Sequence, residues 1–365
     1  MTTVEMPSAT EPHPKPLWRR VLPPALSVVL VGAVFFWFLP QFTSISAIWV
    51  SVRSMSALQI GILVVAALWN LASYQFVMTA TMPGLTFRQA AVSTESTTAV
   101  SNTLVGGAAI ALGLTYAMNS SWGFSRSRTS VSLLISGLWN NFAKLGLPVL
   151  AIVLLAFTGQ PSAGRLVAGL LGVAGLVAAL VVLFLLLRSR DSAARVGIFL
   201  GRVTSAVIRP FGRPPAQGWD EAMTKFRDRT VLLLHARWHW ITLVTLVSHI
   251  SLFVVLLLSL RFVGVTAAEV GWIEALAVFA FARLLTAIPF TPGGLGIIEL
   301  ALITGLSAAG GPRALVAAAV LVFRALTYVL PIPIGVATYV FWQRNRSWRR
   351  EPNSAPRTDL VPETV

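Results

Sequence analysis

The stretch from Arg283 to Leu300, RLLTAIPFTPGGLGIIEL, sets two prolines, three glycines, an arginine and a glutamate inside an otherwise apolar run. Proline removes an N–H donor and glycine gives the backbone no side-chain cover. Pro289, Pro292, Gly293, Gly294 and Gly296 therefore predict a broken helix that cannot face lipid, since bare peptide groups in hydrocarbon cost several kcal/mol each. The helix that restarts at LGIIELALITGL offers free N–H groups and a positive dipole end, which suits a phosphate. Arg283 can hold the same anion in a bidentate grip. Glu299 falls in the first turns of that helix, as part of the site or simply as a cap or ion-pair partner. The glycines are equally what close helix packing requires.

Other polar residues interrupt apolar segments: Asn102, Asn140, Asn141, Lys144, Arg324 and Tyr328, with Glu95 and Glu274. A charge at mid-membrane costs on the order of 3 kcal/mol or more, so such residues are rarely idle. Lys144 follows Asn140 by four positions and Asn141 by three, which makes a polar stripe on one helix. Arg283 and Arg324 either pair with Glu299 or hold an anionic headgroup. The chain has no cysteine, which excludes disulfides and thiolate chemistry, and its four histidines, His13, His235, His239 and His249, form no ligand pattern. Neither a metal nor a cofactor is expected.

The elements that carry these residues follow from composition. Of the 365 residues 56% are hydrophobic and only 11% charged, with a mean hydropathy of +0.77, more apolar surface than one water-soluble core hides. The expectation is an all-α, polytopic membrane bundle. Runs at Val21 to Leu39, Leu58 to Ala80, Leu133 to Phe157, Leu166 to Leu187, Trp240 to Leu260 and Leu315 to Trp342 each approach or exceed the roughly 20 residues that cross a bilayer. The first reads as an uncleaved span, its apolar stretch being long for a signal peptide.

The net charge of +15 is placed at the edges of these spans: before Val21, after Trp342, and in a basic segment expected as a loop at 188–236. By the positive-inside rule these segments are cytoplasmic, and nucleic acid is not the expected partner. The membrane domain is thus 21–342, between disordered cytoplasmic tails at 1–20 and 343–365. Within the basic segment, Val196, Phe199, Leu200, Val203 and Val207 recur at helical spacing with Arg195, Arg202 and Arg209 on another face, an interfacial-helix pattern suited to anionic headgroups.

Two segments remain, Phe87 to Met118 and Glu269 to Ala309. If both tails and the basic segment are cytoplasmic, the six spans already satisfy the parity of crossings, so each remaining segment enters and leaves by one side as a re-entrant hairpin. VGGAAI at Val105, which contains Gly106 and Gly107, aligns with PGGLGI at Pro292 at an offset of 187 residues. The two halves then form an inverted repeat, an architecture in which broken helices line a substrate cavity.

PFTPGGLGIIE, with an arginine shortly before it, resembles the P-x-P-G-G-x-G-x-x-E signature of the flippase-like family that includes the transmembrane region of lysylphosphatidylglycerol synthase. The resemblance spans most of Val21 to Trp342. It implies a membrane domain that handles a lipid with a charged headgroup, an aminoacylated phospholipid or a polyprenyl-phosphate-linked lipid. On that motif Pro292, Gly293, Gly294, Gly296 and Glu299 carry over. Many members have a Gly-Glu element in the first half, where this chain reads VSNTLVGGAAI with no glutamate beside the glycines. Only a short tail follows Trp342, so the soluble aminoacyl-transferring domain is not expected. A translocator is the leading function. An accessory subunit for a lipid-modifying enzyme is the alternative, and a lipid-phosphate hydrolase, lacking further acidic residues near the glycine turn, comes last.

Overall fold

A computed structural model describes residues 50, 53–104, 106–157, 187–209, 218–286 and 294–348, with scattered positions from 173 to 185. The expected tail at 1–20, the span at Val21 to Leu39, half of that at Leu166 to Leu187, and Pro292 and Gly293 lie outside them. The described residues are helical throughout: α1 (Ala57–Thr81), α2 (Phe87–Thr103), α3 (Gly107–Ser121), α4 (Arg126–Phe157), α5 (Arg190–Ile208), α6 (Trp219–Val263), α7 (Trp272–Leu285), α8 (Ile297–Ala308), α9 (Arg313–Arg324), a π-helical turn (Ala325–Val329) and α10 (Pro331–Arg344). Local chemistry sets several boundaries. Ser56 with Gln59 and Thr86 with Gln89 form reciprocal capping boxes at the starts of α1 and α2.

Among the described residues, four helical runs are long and apolar enough to cross a membrane: α1, α4, α6 and the continuous Arg313–Arg344 run of α9, π turn and α10. Polar ties hold them in register. Asn70 Nδ2 donates to the Ser248 carbonyl at 3.1 Å and to Ser251 Oγ at 2.8 Å, joining α1 to α6, and Trp139 Nε1 donates to Thr242 Oγ1 at 2.9 Å, joining α4 to α6. The largest apolar core interleaves Phe253, Leu256 and Leu260 of α6 with Phe279, Leu302, Leu306, Val316 and Val320.

The two interrupted segments fold as helical hairpins. In the first, Ala90 near the start of α2 shares a core with Met118 and Trp122 at the end of α3 and with Trp342 of α10. In the second, Glu269 and Val270 before α7 lie against Gly310 and Gly311 after α8, and Val278 against Gly305. A Cβ on Gly305 would stand 2.5 Å from a Val278 methyl, and one on Gly311 3.0 Å from a Val270 methyl, so glycine is what lets these arms close. Arms of 17 and 15 residues, and of 14 and 12, reach roughly 25 Å at most, short of the roughly 30 Å hydrocarbon layer. The first hairpin opens at the Trp342 end of the Arg313–Arg344 run. The second opens at its start, where Gly311 faces Val316. The hairpins therefore open at opposite ends of the bundle.

The basic segment differs in part from its expected form. Trp219 to Trp240 is no loop: it is the first half of the 45-residue α6. The predicted helix is present as α5, but small residues, not its apolar stripe, make the contact. Ala193, Gly197 and Gly201 recur every fourth position and are buried, and the two glycines seat α5 on Trp219, where a Cβ at Gly197 would strike the Trp219 and Asp220 backbone. Ile198, Phe199 and Val203 are left outward.

Candidate functional site

The tips of the two hairpins meet the π turn. Pro331 and Pro333 have no N–H to give, so the α9 to α10 run cannot keep regular bonding there. It widens over Ala325–Val329, where the Leu330 N–H returns to the Ala325 carbonyl at 2.8 Å. The widening supplies two contacts to the tip of the first hairpin. Asn102 Nδ2 donates to the Tyr328 carbonyl at 3.1 Å, and the Tyr328 hydroxyl donates to the Asn102 carbonyl at 2.5 Å.

One turn earlier, Arg324 reaches the tip of the second hairpin, its Nε donating to Glu299 Oε1 at 2.6 Å. Glu299 Oε2 accepts the Gly296 N–H at 2.8 Å, so one carboxylate both caps α8 and neutralises Arg324. Gly296 has φ +83° and Gly294 φ +70°, left-handed values that a Cβ disfavours. The Arg324 guanidinium lies 4.6 Å from the Tyr328 ring centroid. A single path, Asn102 to Tyr328 to Arg324 to Glu299 to Gly296, thus ties one tip to the other. Glu299 and Arg324 are 2% and 8% exposed, so the pair is buried.

Beside this latch is a cavity of about 80 Å3, lined by Arg283 and Arg324 and otherwise chiefly by apolar side chains such as Leu252, Phe279 and Ile298. Arg283 does not join the Glu299 pair. Its Nε is buried with no hydrogen-bond partner among the described residues. Within its electrostatic range stand Lys144 of α4, His249 of α6, Arg324 and Tyr74. Lys144 is 8% exposed and, among the described residues, has no acidic partner. His249 Nδ1 contacts the Thr245 carbonyl at 3.0 Å, while its buried Nε2 has no hydrogen-bond partner among the described residues.

The sequence-predicted residues divide accordingly. Arg283, Gly296, Glu299, Arg324, Tyr328 and Asn102 gather at the latch and cavity, with Gly294 at the second tip and Lys144 behind Arg283. Gly106, φ +73°, turns the first tip, and Gly107 lets α3 start against the Val100 carbonyl. Asn140 is half-buried and Asn141 exposed, and neither side chain makes a hydrogen bond among the described residues. Glu95 lies lower on the first hairpin, accepting from Gln75 Nε2 at 2.8 Å. Sequence reasoning missed His249 and Tyr74. A histidine inside the apolar span was the available signal for the first. No group of three or more histidine or acidic side chains suited to a metal occurs among the described residues.

Long apolar helices with polar groups turned inward define a polytopic helical membrane protein. Residues 25–335 match the family of the lysylphosphatidylglycerol synthase TM region, and the chain belongs to that family. Membership gives it a membrane, lipid-related role. Comparison with curated proteins finds no match.

Proposed function

We propose that the protein moves a lipid with a charged headgroup, aminoacylated or polyprenyl-phosphate-linked, across the cytoplasmic membrane, and is not an enzyme. The observation that carries this reading is the latch: two hairpins that open at opposite ends of the bundle are joined at their tips by Asn102, Tyr328, Arg324 and Glu299 beside a cavity with an unpaired arginine. Opposed hairpins give each leaflet its own approach to one site, as alternating access requires. They also support an inverted repeat of re-entrant segments. The headgroup docks at Arg283 while its acyl or prenyl chains stay in lipid. Breaking the latch at either tip frees that hairpin, so the site opens to one leaflet at a time.

The basic residues of α5 and the start of α6 favour a cytoplasmic placement for that end, with both termini on the same side. A lipid-modifying enzyme that supplies the headgroup is the natural partner. The test is reconstitution into liposomes with fluorescent lipids of anionic, zwitterionic and cationic headgroup. The wild-type protein is expected to equilibrate at least one of them between leaflets, and Arg283→Ala to abolish this while folding normally. Transport by folded Arg283→Ala at the wild-type rate removes the site. No transport of any headgroup leaves the accessory role.

A further inference from the structure

The cations around the cavity outnumber the acids that face them. Glu299 spends both oxygens, one on Arg324 and one on the Gly296 N–H. Arg283 and Lys144 remain as two formal positive charges, each within range of the other and of His249, with no carboxylate opposite them among the described residues. The other buried acid, Glu95, is engaged by Gln75, and no cation of this group acts on it. Like charges held together in a low-dielectric interior repel, and a bound anion relieves that cost.

Size narrows the anion. A water needs roughly 10–15 Å3 of such space, so 80 Å3 admits about five to eight water-sized atoms. That matches one phosphate group.

We infer that the site selects a lipid phosphomonoester, whose terminal phosphate sits in the cavity against Arg283 and within the electrostatic range of Lys144, and rejects headgroups that carry an ammonium. A phosphomonoester brings a charge of roughly −1.5 to −2 near neutral pH, which balances the two unpaired cations. A phosphodiester brings one negative charge and a further substituent, and an aminoacylated diester adds a cation where no acid waits. The inference rests on the lipid-handling reading of the site and chooses between the two headgroup classes that reading leaves open.

Binding to the full-length protein in phosphatidylcholine nanodiscs tests it, with phosphatidic acid, phosphatidylglycerol, lysyl-phosphatidylglycerol and inorganic phosphate as probes and retained ligand counted by native mass spectrometry. Phosphatidic acid is expected to bind about tenfold or more tightly than phosphatidylglycerol, and lysyl-phosphatidylglycerol not at all. Arg283→Ala and Lys144→Ala should each weaken phosphatidic acid about tenfold or more, and Arg283→Lys by less. Thermal midpoints identify folded variants, and Arg283→Lys serves should the alanine variants not fold. Equal binding of lysyl-phosphatidylglycerol, or unchanged phosphatidic acid binding in folded Arg283→Ala and Lys144→Ala, overturns the inference. Binding of inorganic phosphate without phosphatidic acid moves the site to a free ion and overturns the lipid assignment. Phosphatidic acid that binds but never changes leaflet sinks the translocator reading and leaves this one standing.

Discussion

The Glu299–Arg324 pair gives the most discriminating test of the latch. The two charges meet at 2.6 Å with side chains only 3% and 9% exposed, so solvent screening is weak. Glu299→Gln keeps an acceptor for the Gly296 N–H but leaves the Arg324 guanidinium without its counter-charge. Removing one member of a buried pair costs about 3–5 kcal/mol, because the survivor stays desolvated. Arg324→Met leaves Glu299 as the stranded charge and should cost a similar amount, including the stacking on Tyr328. In the double variant no charge is stranded, and apolar replacement of a buried pair is often neutral, so the two effects should fail to add by about 3 kcal/mol. Denaturant titration of the purified protein in mixed micelles, read by tryptophan fluorescence, measures all four forms. Single variants that each lose less than about 1 kcal/mol and add without coupling would show that the pair is screened or absent, and the latch with it.

Tyr328→Phe removes the hydroxyl bonded to the Asn102 carbonyl and should cost about 1 kcal/mol, with faster amide exchange confined to the tip of the first hairpin. Unchanged exchange there refutes the tie. Gly335→Ala puts a methyl onto the Glu95 carbonyl and 2.5 Å from the Ala99 Cβ, where α10 crosses α2, and should destabilise by about 1–3 kcal/mol in the same titration. Because the chain lacks cysteine, Ser120→Cys and Ala268→Cys, both at exposed positions, report the sidedness of the two hairpins. An impermeant thiol reagent should reach them from opposite faces of sealed vesicles, and labelling from one face contradicts the opposed arrangement. Glu269 accepts from the Thr266 N–H at 2.8 Å and from its hydroxyl at 2.9 Å, which holds its carboxyl below the usual carboxylate range. That support for the 264–271 turn is present above roughly pH 4 and lost as pH falls through the lower folded value, so turn proteolysis should rise in acid for the wild type and less for Glu269→Gln.

The spans were legible because length and hydropathy decide them: the predicted Leu58 to Ala80, Leu133 to Phe157 and Leu315 to Trp342 all fall inside helices with nearby ends. The hairpins were legible too. Polar and glycine-rich stretches cannot face lipid as one unbroken helix, and each is found as a pair of short helical arms. The extent of α6 was not. Its first half is basic and polar, and hydropathy reads such a helix as loop, whereas Gly197 and Gly201 of α5 hold it by a contact between segments that no local pattern reports.

At the site, residue types were visible and partnerships were not. Arg283 and Arg324 are alike in sequence: each is an arginine inside an apolar run, and each can reach a glutamate placed as Glu299 is. The choice falls to Arg324, which sits one step before the widened turn that Pro331 and Pro333 favour, the turn that also brings Tyr328 to the first tip. Arg283, on the arm of the second hairpin itself, is left facing the cavity, within the electrostatic range of Lys144. A proline pair that looks like a simple interruption thereby decides which arginine becomes structural and which stays open to an anion. Replacing both prolines with alanine should let the regular ladder re-form and pull Arg324 off Glu299. The expected signature is a loss of coupling in the double-variant cycle with little change in helix content.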